Sequence, residues 1–76
     1  MATAEDALVK IRQISLLYSD KRPVLHIDSL TGQMHLSKKD IRPLLDELET
    51  RQLIKFHQST KDLFMLTEAG KSFTIP

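Results

Sequence analysis

A chain of 76 residues with 41% hydrophobic content predicts one small domain, residues 1–76, whose single core is held by packing. The sequence has no cysteine, which excludes disulfides and thiolate metal sites, and its short apolar runs exclude a membrane span, so we expect a cytoplasmic protein. The net charge of +1 is too balanced to indicate nucleic acid by itself, so the arrangement of the charges must decide.

The first predicted helix covers residues 3–19. Thr3 and Asp6 have capping-box spacing, and apolar residues follow at helical intervals: Ala7, Leu8, Ile11, Ile14 and Tyr18. A second apolar strip lies on another side of this helix, and the C-terminal tail adds two more apolar residues. One helix of a small bundle rarely needs two apolar faces, so we predict a homodimer, with a monomer as the alternative. The predicted dimer interface is Val9, Leu16, Phe73 and Ile75.

A second, shorter helix follows a charged turn. The turn, residues 19–23, closes in a proline, which ends the first helix. The second helix is predicted from His26 or Ile27 to Met34, and its apolar residues fall on one face. It has only about two turns, so it depends on the other helices for its stability.

The third predicted helix, residues 37–51, has the best pattern in the chain. Ser37 has capping-box spacing to an acid, and apolar residues then repeat at helical intervals: Ile41, Leu44, Leu45 and Leu48. Pro43 falls inside this helix, which instead begins at Arg42 if the proline belongs to its first turn. We expect Pro43 on the solvent face, where the unpaired carbonyl of Lys39 can bond to water.

The pattern changes to a hairpin after the third helix. Apolar and polar residues alternate over "IKFH", residues 54–57, a polar turn follows, and "LFMLT", residues 63–67, has the composition of a returning strand. We therefore predict a hairpin over residues 54–66. Thr67 has the position of a cap for one last helical turn.

The order of these elements and their local sequences resemble those of one family. "IDSLTGQMHLSKKDIRPLLDELETRQLIKF", followed by "LFMLTEAGK", is similar to winged helix-turn-helix transcriptional regulators of the multiple-antibiotic-resistance repressor type and their small relatives. The matching residues are Leu30, Leu36, Ser37, Ile41, Leu45, Leu48, Glu49, Leu53, Leu66, Thr67, Glu68 and Gly70. The resemblance covers residues 24–73. It implies a mainly α fold with a small β-hairpin (α+β), in which three helices carry a two- or three-stranded wing.

This chain departs from the family at several points. His35 and Gln52 stand where the family usually has glycine or another turn-former, and we expect a positive φ at both. The wing is short. The long C-terminal helices that dimerise many of these repressors have no counterpart here, so a dimer would use another surface.

The resemblance implies contact with double-stranded DNA through the outward N-terminal half of the third helix and through the wing. Basic residues lie in both places, so we predict a DNA-binding set of Ser37, Lys38, Lys39, Arg42, Lys55, His57 and Lys61. Solvated surface charges are the alternative interpretation of the same residues. The predicted function is transcriptional regulation, and the alternative is a winged helix that binds a protein partner without DNA. The low net charge and Asp46 on the groove face favour that alternative.

Enzymatic and metal functions are not expected. The three histidines, at positions 26, 35 and 57, lack the spacing of metal ligands. Glycine-rich phosphate loops and nucleophile-elbow motifs are absent from the sequence, and a domain of this size offers little room for a deep pocket. We therefore predict a non-enzyme without a cofactor and without a membrane partner.

Overall fold

The computed structural model describes residues 2–18, 23–57 and 60–74. Within these ranges the chain is α+β, with four helices and one three-stranded antiparallel sheet. In chain order the elements are α1 (Ala4–Ser15), β1 (Leu25–His26), α2 (Ile27–Met34), α3 (Lys38–Thr50), β2 (Ile54–Phe56), β3 (Leu63–Leu66) and α4 (Glu68–Ser72). The predicted α+β class is confirmed. Most of the predicted charged turn, residues 19–22, lies outside the described residues, and so does Ile75.

Helix α1 begins as predicted and ends earlier. The Asp6 amide donates to Thr3 Oγ1 at 3.2 Å and the Thr3 amide donates to Asp6 Oδ2 at 3.0 Å, which completes a capping box. After Ser15 the chain tightens, because the Tyr18 amide donates to the Ser15 carbonyl three residues back. This turn leaves the helical path and Tyr18 is 47% exposed, so the predicted continuation of the helix was wrong for residues 16–18.

The residues that follow α2 and α3 have the backbone conformation predicted from the sequence. His35 ends α2 with φ 55°, and Gln52 has φ 62° just after α3, so the positive φ expected at both positions is confirmed. Ser37 caps α3, since its Oγ accepts from the Asp40 amide at 3.3 Å. Helix α3 therefore begins at Lys38 rather than at Arg42.

The sheet has the order β1-β3-β2, with β3 in the centre. Leu25 of β1 and Phe56 of β2 both lie opposite Phe64, and Ile54 lies opposite Leu66. Phe64 and its buried neighbours face the helices, so the alternate residues of each strand face outward. The sequence patterns predicted β2 and β3 but did not locate β1.

One hydrophobic core joins α1, α2, α3 and the inner face of the sheet. Its buried members are Ala4, Ala7, Leu8, Ile11, Ile14, Leu25, Ile27, Leu30, Ile41, Leu45, Leu48, Leu53, Ile54, Phe64 and Leu66. Its helical members lie on the predicted apolar faces of the three helices, with the addition of Ala4. Burial of one face of α3 in this core leaves its opposite face in solvent.

Helix α4 packs against the segment that follows α3. Thr67 Oγ1 accepts from the Gly70 amide at 2.9 Å, which confirms the predicted cap, and it donates to the Gln52 carbonyl at 2.8 Å. A Cβ at Gly70 would meet the Leu53 carbonyl oxygen at 2.0 Å. Only glycine permits this close approach of α4 to the segment between α3 and β2.

Candidate nucleic-acid interface

The N-terminal half of α3 presents a polar face to solvent. Ile41 and Leu45 anchor the inner face of this helix in the core, and they fix its rotation. Lys38 and Lys39 are exposed in the first turn, and Arg42 is half-buried one turn further along. Three predicted DNA-binding side chains therefore lie outside the core, all of them in the N-terminal half of α3.

The described end of the turn between β2 and β3, residues 60–62, lies alongside α3. Arg42 Nη2 of the helix is 2.7 Å from Asp62 Oδ1 of the turn. Lys61 Nζ of the turn is 3.5 Å from Asp46 Oδ1 of the helix. The two ion pairs run in opposite directions between the same two elements, so they bring the turn and the helix into one surface. We call it the α3–turn surface, and its residues are Ser37, Lys38, Lys39, Arg42, Asp46, Lys61 and Asp62.

The start of α2 supplies a further acid to this surface. Lys38 Nζ is 3.4 Å from Asp28 Oδ1, in the first turn of α2. His26 caps α2, because its Nδ1 accepts from the Asp28 amide at 3.1 Å. Lys38 thus bridges α2 and α3 through this ion pair.

The remaining two predicted DNA-binding residues lie elsewhere. Lys55 is exposed on the outer face of the sheet, opposite Met65 of β3, and His57 continues the same strand direction with its amide bonded to the Leu63 carbonyl at 2.9 Å. Among the residues that the structure describes, no ion pair links Lys55 to the α3–turn surface. The structure therefore places Ser37, Lys38, Lys39, Arg42 and Lys61 on α3 and the adjoining turn, whereas Lys55 lies within β2 and His57 directly follows it.

Pro43 lies on the solvent side of α3, as predicted. It is exposed, and the helix continues through it from Lys38 to Thr50. Since proline has no amide hydrogen, the Lys39 carbonyl one turn back loses its partner within the helix. The first turn of α3, which carries both lysines, is thus held to the rest of the helix by fewer hydrogen bonds.

The predicted dimer residues are distributed over different surroundings. Leu16 is 84% exposed just after α1, whereas Val9 is half-buried beside Met34 of α2. Phe73 packs against the core, and the Arg51 guanidinium lies over its ring at 4.8 Å from the centroid. Leu16 is consequently the residue of this set that is most available to a partner.

Sequence reasoning named Leu16 but missed three other exposed apolar side chains, Leu17, Tyr18 and Val24, and we call these four residues the apolar patch. Their exposed fractions are 84%, 80%, 47% and 38%. The patch borders a cavity of about 470 Å³ lined by Arg12, Ser15, Leu16, Tyr18, Pro23, Leu66 and Lys71. Two adjacent leucines after the last turn of a helix were the sequence signal, because only one of them can continue a helical apolar face.

Arg12, which lines this cavity, makes a long-range contact to α4. Arg12 Nε and Nη2 donate to the Gly70 carbonyl at 3.0 and 2.8 Å, and Nη2 also donates to the Phe73 carbonyl. Arg12 therefore ties α1 to α4. The Ser15 hydroxyl is buried beside it without a hydrogen-bond partner among the described residues.

Two negative findings apply to the described part of the chain. Within residues 2–18, 23–57 and 60–74, no group of three histidine or acidic side chains is arranged to hold a metal ion. In the same ranges none of the helices has the length and apolar content needed to cross a bilayer.

Comparison with protein-family models, with curated proteins and with solved structures finds no match to this chain. The function must therefore be inferred from the residues and their geometry. The two surfaces that bear on it are the α3–turn surface and the apolar patch.

Proposed function

We propose that this chain is a small winged helix-turn-helix protein that binds double-stranded DNA and regulates transcription. In this proposal α3 enters the major groove, and the β2–β3 hairpin is the wing. The supporting observation is the pair of reciprocal ion pairs, Arg42 with Asp62 and Lys61 with Asp46, because they join cations of α3 and of the turn in one surface. A helix and an adjacent basic turn can contact the groove and the flanking phosphates together.

The division of roles follows from side-chain chemistry. Lys38 and Lys39, exposed at the first turn, suit contacts to phosphate oxygens, which set affinity and register. Arg42 lies one turn deeper, and a guanidinium can donate two hydrogen bonds to the O6 and N7 atoms of guanine. Arg42 must leave Asp62 to do so, and an exposed ion pair of this kind costs only about 0.2–1 kcal/mol to open.

The test is a salt titration of binding to a short duplex of mixed sequence. Each phosphate neutralised contributes about −0.9 to the slope of log affinity against log salt, so we expect a slope of about −3 to −5. The triple variant Lys38→Ala, Lys39→Ala, Arg42→Ala should lose binding and keep the circular dichroism spectrum of the parent.

The matched control removes lysines from other elements, as Lys10→Ala with Lys71→Ala. This variant should bind DNA within about twofold of the parent, since its lysines lie on α1 and α4. A triple variant that binds as tightly as the parent would refute the proposed surface.

Protein binding is the second candidate function, and the apolar patch favours it. Leu16 and Leu17 each expose at least 80% of their surface, which is unusual for adjacent leucines in a small domain. We propose a second copy of the chain as the partner, because self-association through Leu16 is also predicted from the sequence and symmetric dimers are the commonest oligomers. Light scattering at high micromolar concentration tests this, and a monomeric mass would refute it.

A further inference from the structure

The cations of the α3–turn surface are equalled in number by the carboxylates on that surface and at its border. The four cations of the surface are Lys38, Lys39, Arg42 and Lys61. The carboxylates beside them are Asp28, Asp40, Asp46 and Asp62. The α3–turn surface together with its two bordering acids, Asp28 and Asp40, therefore has no net formal charge.

The carboxylates do not all occupy equivalent positions. Asp40 lies in the first turn of α3, where a negative charge is favoured by the helix dipole, and Asp28 has the same position in α2. Asp46 and Asp62 have no such role. Each instead holds one cation of the surface across the gap between the helix and the turn, at 3.5 and 2.7 Å.

We infer that Asp46 and Asp62 are intramolecular competitors of DNA phosphate that limit the affinity of the α3–turn surface. This inference rests on the proposed DNA-binding function. A phosphate that reaches Arg42 or Lys61 must first displace a carboxylate, which then stays within a Debye length of the duplex and repels it. The net counterion release per phosphate contact is lower for the same reason.

The turn does not depend on these ion pairs for its position. The backbone of Asp62 makes two hydrogen bonds. Its amide donates to Thr60 Oγ1 at 3.1 Å, and its carbonyl accepts from the Ile27 amide at 2.8 Å. Its backbone is thus fixed without the side chain. Replacement of either carboxylate by an amide should consequently release a cation while the turn keeps its path.

The experiment compares the double variant Asp46→Asn, Asp62→Asn with the wild-type chain on a mixed-sequence duplex. Asparagine keeps the shape of aspartate and removes its charge. We expect about tenfold tighter binding at low salt and a salt slope steeper by about one, because two cations are freed and two repulsive charges are lost. Circular dichroism and thermal unfolding should match the wild type.

The matched control is Glu47→Gln with Glu49→Gln, which changes the net charge equally. These acids lie in the second half of α3, and Glu47 pairs with Arg51 rather than with the α3–turn surface. The control should gain at most about threefold in affinity, because its charges are further from the proposed phosphate positions.

The outcomes separate the inference from the function on which it rests. A gain in the Asp46 and Asp62 variant well above that of the control supports the inference. If the wild type binds DNA and loses binding in the triple lysine and arginine variant, but the two charge variants gain equally, the inference is overturned alone. If neither the wild type nor any variant binds duplex at low salt, both the inference and the proposed function are overturned.

Discussion

The α3–turn surface and the apolar patch differ in how their side chains are satisfied. On the α3–turn surface, Lys38, Arg42 and Lys61 each have a carboxylate within 3.5 Å. In the apolar patch, Leu16 and Leu17 expose 84% and 80% of their surface. These charges of the first surface are already paired in the free protein. The free energy of the second surface would fall if a partner buried its leucines.

This difference is consistent with the two different partners that we propose for the two surfaces. Exposed ion pairs contribute about 0.2–1 kcal/mol each, so a polyanion can exchange with their carboxylates at small cost. Complete burial of one leucine side chain stabilises by about 1.5–3 kcal/mol, which only an apolar partner can supply. A protein of this size can therefore use one surface for DNA and the other for a second protein chain.

The largest expected effect comes from Gly70→Ala, which disturbs the support of the apolar patch. The new Cβ would meet a backbone oxygen of Leu53 at 2.0 Å, and a backbone atom cannot yield as a flexible side chain can. We expect a loss of about 3 kcal/mol or more in the free energy of unfolding, measured by urea denaturation. The Arg12 contact that joins α1 to α4 should loosen with it.

Gly32→Ala is the matched control for this substitution. Gly32 lies inside α2, and a Cβ there meets nothing within 4 Å. This variant should gain about 0.5–1 kcal/mol, because alanine is the better helix former. Equal effects of the two substitutions would show that α4 does not pack on Leu53 as described.

A smaller effect is expected from Pro43→Ala, which alters the α3–turn surface alone. Alanine restores the hydrogen bond from residue 43 to the Lys39 carbonyl. We expect the unfolding free energy to rise by about 1 kcal/mol, which is less than the roughly 3 kcal/mol of an interior proline because the chain has relaxed around it. The same change should weaken or alter DNA binding, since it re-aims Lys38 and Lys39 relative to Arg42.

The two readouts of Pro43→Ala are separable. Thermal unfolding reports the stability of the whole domain, and the duplex titration reports the orientation of the first turn of α3. A variant that is more stable and binds DNA as before would show that Pro43 is only a tolerated surface residue.

The smallest effect on stability is expected from Leu16→Asp with Leu17→Asp. Both side chains are exposed, so the free energy of unfolding of the monomer should change by less than about 0.5 kcal/mol. Self-association, measured by light scattering, should be lost. Persistence of a dimer in this variant would exclude the apolar patch as its interface.

Local signals in the sequence accounted for much of the fold. Ser37 and Thr67 were predicted as caps, and both hydroxyls accept the expected backbone amides. His35 and Gln52 were predicted to adopt positive φ, and both do. These predictions succeeded because a cap or a turn depends on residues within three or four positions of each other.

The features that escaped prediction depend on contacts between distant residues or on very short elements. Strand β1 has two residues, too few for an alternation to be recognised, and it exists because β3 pairs with it. The partners Arg42 and Asp62 are separated by 20 positions and belong to different elements. The cations of the site and Asp46 on the groove face were therefore predicted, while the ion pairs between α3 and the turn were not.

The central claim is that the α3–turn surface, rather than the apolar patch, meets DNA. Amide chemical shifts of the labelled protein, followed by nuclear magnetic resonance as a mixed-sequence duplex is added, test it residue by residue. The claim predicts the largest shifts at residues 37–42 and 60–62, with the amides of residues 16–18 and 24 unchanged. Largest shifts in the apolar patch, or no shift anywhere at low salt, would contradict it.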